Sequence, residues 1–153
     1  MRFLILLKYL NRFNVRLLER GKGPQRMVLL LTTTGRKSGL PRHTPLQYEE
    51  WEGAIYEASA RGREADWYRN ILADPHVLLH FRSKQYEADA QTVEEPGKIA
   101  DFLELRLQRH PLMMRLLLRA EGLPFRFTRD ELEKLAAKKA LVVILPKEVQ
   151  GNI

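Results

Sequence analysis

The sequence has no cysteine at all, which excludes disulfides, thiolate metal sites and a cysteine nucleophile, and fits a reducing, cytoplasmic setting. Acidic residues are in deficit. Nineteen Asp and Glu stand against 26 Lys and Arg, a net charge of +7 that suits an anionic partner: a phosphorylated cofactor, a nucleic acid or an acidic membrane surface. Long hydrophobic runs are missing near the N-terminus, where the apolar stretch Phe3 to Leu7 is cut by Lys8. It is too short for a spanning helix or a secretory signal, and no small-residue cleavage site follows. No internal repeat, low-complexity tract or locally supported Ser-His-Asp arrangement is visible. His76 and His80 stand four apart, but Val77 to Phe81 reads as a strand, where such residues lie about 13 Å apart, so no metal site is expected. Nucleic acid is disfavoured as a partner, because the basic residues divide between one helix and one turn instead of forming a stripe interleaved with aromatics.

What the chain does have is length for one domain, residues 1–153, with a core of its own. Residues 1–22 form a basic amphipathic pattern, with Lys8, Arg12, Arg16 and Arg20 recurring every four residues among Phe3, Leu6, Leu7, Leu10, Phe13, Leu17 and Leu18. Such a helix packs on its own domain, on a partner subunit as in a homodimer, or peripherally on an anionic membrane. Residues 27–93 carry the strand signals. Met27 to Thr34 is an apolar run ending in β-branched threonines; Thr44 to Tyr48 and Ile55 to Ser59 follow, joined near Glu52-Gly53, and the three suggest an antiparallel meander. Asp66 is placed to cap a short helix from Trp67 to Ala73 that Asp74-Pro75 ends, and Val77 to Phe81 with Lys84 to Val93 make a further strand pair. Residues 96–139 turn helical: Pro96 to Arg109, a break at His110-Pro111, Leu112 to Ala120 stopped at Gly122, then a capping box at Thr128 and Glu131. Residues 141–146 hold a last strand closed by Pro146. Six short strands with helices between them argue for an α+β domain around a small antiparallel barrel.

The stretch from Leu29 to Leu46, LLLTTTGRKSGLPRHTPL, concentrates the chemistry. Thr32, Thr33 and Thr34 offer hydroxyls, Gly35 and Gly39 let backbone amides approach a ligand, and Arg36, Lys37 and Arg42 supply charge, an arrangement that cradles a phosphate. The glycines are too close for a nucleoside-triphosphate loop, and a solvated basic hairpin turn has the same composition.

TTTGRKSGLPRHTPL, then Tyr56-Glu57-Ala58-Ser59, then Asp66-Trp67-Tyr68-Arg69-Asn70-Ile71-Leu72-Ala73-Asp74-Pro75, in that order, resemble the deazaflavin-dependent nitroreductase family over about residues 27–93. The resemblance implies a split β-barrel related to flavin-binding pyridoxamine-phosphate oxidases. It also implies coenzyme F420 as cofactor, FMN being the alternative, and reduction of an electron-poor quinone, enone or nitro compound. A split-barrel module that binds such a cofactor without turnover is the other reading. By the same resemblance Lys37 and Arg42 match positions that hold the cofactor phosphate, and Thr44, Pro45 and Ser59 match positions beside the ring. Trp67 and Asn70 match the helix that closes the pocket. Ser59, and more remotely Tyr68, are the candidate donors to a developing anion. The chain departs from its relatives at Ser59-Ala60-Arg61-Gly62-Arg63, where many have Ser-Lys-Gly-Gly: the lysine is absent, and Arg61 or Arg63 is its candidate replacement. Met113, Met114 and Phe125 are candidates for an apolar lid or for ordinary core. Glu49, Glu50 and Glu52 read as a solvated loop.

Overall fold

A computed structural model describes residues 28–59 and 61–148. The amphipathic N-terminal segment and Ala60 lie outside the described residues. Eight strands make one curled antiparallel sheet: β1 (Val28–Thr34), β2 (Pro41–Gln47), β3 (Glu49–Trp51), β4 (Ala54–Ser59), β5 (His76–Phe81), β6 (Lys84–Val93), β7 (Ala140–Ile144) and β8 (Lys147–Glu148). Among the described residues four α-helices accompany them: α1 (Asp66–Ala73), α2 (Pro96–Arg109), α3 (Pro111–Ala120) and α4 (Arg129–Ala136). Among the described residues, no helix is long and apolar enough to cross a membrane.

The strand order is β2-β1-β5-β6-β7-β4-β3, with β8 also on β6. β6 is the seam. Its first part pairs with β5 from Lys84 to Asp89, and its second pairs with β7 from Ala90 to Val93, so one ten-residue strand serves two half-sheets. At the hand-over the Ala90 amide donates to the Pro75 carbonyl at 2.8 Å, which keeps the backbone bonded while the sheet turns. The β1–β2 and β3–β4 hairpins therefore lie in different halves, since β1 pairs with β5 and β4 with β7. The expected three-strand meander is corrected accordingly, because pairing to the later strands β5 and β7 separates the first four.

Alternation builds two cores back to back. Inward residues Leu29, Leu31, Ile55, Val77, Leu79, Val142 and Ile144 fill the barrel, plugged by Trp67, Tyr68 and Ile71 of α1. Outward residues of β4 and β7, Tyr56, Ala58 and Leu141, meet Ile99, Phe102, Met114, Leu118 and Leu132 of the helices. Tyr56 stacks on Phe102 at 5.6 Å between centroids. Met114 belongs to this second core, whereas Phe125 is exposed under the Arg115 guanidinium, so the suggested lid does not assemble.

Local signals explain most boundaries. Thr128 and Glu131 form the expected reciprocal capping box on α4, which stops at Ala136, short of the expected Lys139. Glu52 and Gly53 both have positive φ, as a two-residue turn between right-twisted strands requires. Asp66 is the first helical residue and Ala65 the cap, without a side-chain bond, because Asp66 is engaged elsewhere. Glu49 is not a solvated loop residue. Its carboxylate receives Arg109 at 3.1 Å and His110 at 2.9 Å, bolting the α2–α3 corner to β3.

Gly62 sits at φ 60°, and a Cβ there would meet the Lys138 carbonyl oxygen at 2.8 Å. Gly62→Ala is expected to destabilise the fold by about 1–3 kcal/mol, read by urea denaturation, since both backbone strain and the clash oppose it.

Candidate functional site

The β1–β2 turn is held from below by α1. Gly35 and Leu40 close it, the Gly35 amide donating to the Leu40 carbonyl at 2.8 Å, and Gly39 takes a positive φ of 69°. Gly35 is buried, and a Cβ on it would lie 2.7 Å from Ser38 Oγ and 3.1 Å from the Leu40 carbonyl oxygen, so a larger residue would have to displace Ser38 and press on the turn's backbone. Asn70, 3% exposed, reaches the turn from the middle of α1. Its Oδ1 accepts from the Arg36 amide at 3.2 Å and from Arg36 Nη1 at 3.0 Å, while its Nδ2 donates to Thr33 Oγ1 at 3.1 Å. Three of the amide's four hydrogen-bonding positions are spent on positioning.

Arg36 is part of that clasp. Its Nη2 also donates to Asp66 Oδ1 at 3.0 Å, and this hydrogen bond holds the Asp66 carboxyl below the ordinary aspartate range. Arg36 is thus partnered, whereas among the described residues Lys37 and Arg42 have no ion-pair partner and stand exposed. The charges of Arg61 and Arg69 also act on Asp66, which brings the post-β4 loop and α1 to the same cationic rim.

Pairing register sorts the β2 residues. Arg42 faces Thr33 across the ladder and Thr44 faces Leu31, so both share the face of β1 that lines the barrel and its mouth. Pro45 is opposite Leu30, on the other face. Thr34 pairs with Pro41 at the turn end of the same ladder. Ser59 ends β4, 5% exposed, and its Oγ accepts from the Arg61 amide at 3.2 Å. Trp67 and Tyr68 are core residues at 7% and 0% exposure, in a T-shaped pair. Burial pushes the Tyr68 phenol up; its hydroxyl lies beside Thr92 without a well-formed hydrogen bond. Thr33, Arg36, Asn70 and Asp66 are therefore joined by bonds, with Lys37 next to Arg36 in the chain and Arg42 opposite Thr33 on the ladder, while Ser59 is bonded to the Arg61 amide at the end of β4. Tyr68 lies inside the barrel, away from the exposed rim.

One residue escaped the reading of the sequence. Glu57 is fully buried on the inward face of β4, both carboxyl oxygens lack a hydrogen-bond partner among the described residues, and burial pushes its pKa up to about 8. The signal was present in AIYEAS, a charged residue on the inward face between Ile55 and Ser59. His76 and His80 both lie on strand β5, and His76 approaches Asp89 at 3.6 Å.

The family model described as F420H(2)-dependent quinone reductase matches residues 8–112. The F420H(2)-dependent quinone reductase of Mycobacterium tuberculosis (strain ATCC 25618 / H37Rv) is 35% identical over 69 residues, 43% of this chain and 46% of that protein. The match thus spans about half the length of the curated relative. Among solved structures, an F420-H2 dependent reductase (FDR-A) superposes with a TM-score of 0.52 at 22% identity, covering 78% of this chain and 94% of that one. A Listeria innocua protein described as a pyridoxamine 5′-phosphate oxidase gives 0.55 at 14% identity, covering 91% and 94%. At these identities the structural likeness establishes the split-barrel fold.

Two outcomes follow from the geometry. Asn70→Ala should cost about 2–4 kcal/mol in denaturant unfolding and speed amide exchange at residues 35–40, because it orphans Thr33 and the Arg36 amide together. For Glu57, the folded state keeps a proton that the unfolded chain releases from its ordinary value of 4.5 upward. Stability should therefore fall as pH rises from about 4.5 to about 8, by on the order of 5 kcal/mol in total, and Glu57→Gln should flatten that slope. Urea unfolding at several pH values measures both.

Proposed function

The chain belongs to the F420H(2)-dependent quinone reductase family, and we propose on that basis that it binds coenzyme F420 at the β1–β2 turn and reduces a quinone or a similarly electron-poor enone or nitro compound. One observation carries this reading: Lys37 and Arg42, two cations without an ion-pair partner among the described residues, flank a turn that Asn70 and Asp66 already hold through Arg36. A cation consumed by a local carboxylate does little for a ligand, whereas a preorganised pair of free cations meets a phosphate without first reordering.

Bound in reduced form, F420 supplies a hydride to the substrate. The residues of the chain do the rest. The Arg42 fork would grip phosphate oxygens in pairs, and Lys37 would add a compact positive charge. Thr44 on the barrel-facing side of β2, together with Trp67, would border the ring and exclude water. Ser59 would offer its hydroxyl to the oxygen on which charge develops. Ala60 occupies the position of the lysine seen in the resembling family, and Arg61 or Arg63 beside it would replace that positive charge toward an anionic part of the cofactor. This assignment requires neither the buried Tyr68 hydroxyl nor Pro45 on the far face of the ladder.

A fluorescence titration with F420, and separately with FMN, tests the reading. Lys37→Ala and Arg42→Ala are each expected to weaken F420 binding roughly 10- to 100-fold, the worth of a charge-assisted contact. Arg36→Ala should instead lower stability. Tight FMN binding without F420 binding would move the protein to a flavin-dependent chemistry, and unchanged F420 affinity in both cation variants would refute the phosphate assignment.

A further inference from the structure

Reducing a quinone takes a hydride and a proton, and at the rim the Asp66 carboxyl is tied to Arg36 and held below the ordinary aspartate range, so it does not keep a proton to give at neutral pH. Glu57 is two residues behind Ser59 on the same inward face of β4, about 6.6 Å away along the strand, a span that a glutamate side chain covers directly or through one water. Among the described residues its two buried oxygens have no hydrogen-bond partner, and Ser59 Oγ accepts from the Arg61 amide, leaving its own proton to give. Buried carboxyls without a partner are uncommon and call for an explanation beyond packing.

The surroundings keep the acid neutral. Across the ladders Glu57 is level with Val142 of β7 and Thr92 of β6, and the barrel core alongside holds Ala90, Ala140, Trp67 and Tyr68. β2, with Arg42 and His43, and the Gly62–Glu64 turn, with Arg63 and Glu64, also pack against β4, and burial is the cause that sets the Glu57 equilibrium. A carboxyl in such a place is protonated at neutral pH and holds its proton until a stronger base appears nearby.

Resting on the reductase reading above, we propose that Glu57 is the internal proton source of the reaction, acting through the Ser59 hydroxyl. The balance is simple. The Glu57 O–H bond breaks as a bond to Ser59 Oγ forms, and the Ser59 proton passes to the anionic oxygen left on the substrate after hydride addition. The products are a neutral reduced substrate and a Glu57 carboxylate, which solvent water reprotonates before the next turnover. Glu57 is thus a positioning residue that works through Ser59.

The test combines a spectroscopic and a kinetic readout on the full chain. Infrared spectra of the cofactor-free protein should show a protonated carboxylic carbonyl band near neutral pH that converts to carboxylate as pH rises through about 8, and Glu57→Gln should lack it. With F420 bound and menadione as probe quinone, wild-type kcat should decline above that same pH. Glu57→Gln should lose on the order of 10²-fold in kcat and the pH dependence with it, while Glu57→Asp restores a pH-dependent rate. F420 affinity should be unchanged in Glu57→Gln, and far-ultraviolet circular dichroism checks its fold. Absence of the carbonyl band, or an unaltered pH profile in a folded Glu57→Gln that still binds F420, overturns the proposal. Failure of the wild type to bind F420 overturns the reductase reading itself, a different result seen in the titration alone.

Discussion

The clasp that Asn70 makes between α1 and the β1–β2 turn is the interaction on which the site depends. One buried amide satisfies the Thr33 hydroxyl, the Arg36 backbone and the Arg36 guanidinium at once, and Asp66 completes the hold from the start of the helix. Without it a glycine-bounded, strongly cationic loop would be an ensemble, repelled by its own charge. With it, one of the three basic residues becomes scaffold and the other two are left for a ligand. The division of labour follows from connectivity: Arg36 is adjacent to Gly35 and faces the helix, while Arg42 is out along β2.

The same helix joins the exterior of the site to its interior. Trp67, Tyr68 and Ile71 plug the barrel from the face of α1 that also carries Asn70 toward the turn. Disturbing α1 therefore affects both the cradle and the environment of Glu57. The seam strand β6 adds a second constraint, since Ala90 and Thr92 border the Glu57 end of the barrel while Lys84 to Asp89 anchor the half-sheet that carries β1. A polar group so enclosed is tolerated because it remains neutral, and that neutrality is what gives it chemical use.

The sequence made the punctuation legible. The capping box at Thr128, the break at His110-Pro111 and the alternation of β6 are local signals, each set by neighbours within a few residues, and all three appear where expected. Strand partners were less legible. Whether β4 joins β2 or β7 depends on contacts some 80 residues apart, which local propensity does not encode. Arg36 illustrates the limit at the site: composition marks it as a phosphate ligand equal to Lys37, and only the fold reveals Asp66 and Asn70 beside it. Glu49 was misread for the same reason, its cationic partners lying about 60 residues downstream on α2. Glu57 could have been noticed, as a carboxylate in phase with Ile55 and Ser59 on a strand otherwise free of charge.

The most direct test of the account is an amide chemical-shift titration of the labelled protein with F420. The account predicts that the largest perturbations fall on the turn and its neighbours, residues 35–42, with Ser59 and the first turn of α1 following, while the β3–β4 turn at Glu52-Gly53 and helix α4 remain unmoved. Perturbations concentrated on α3 or the β3–β4 turn, with residues 35–42 silent, would contradict it.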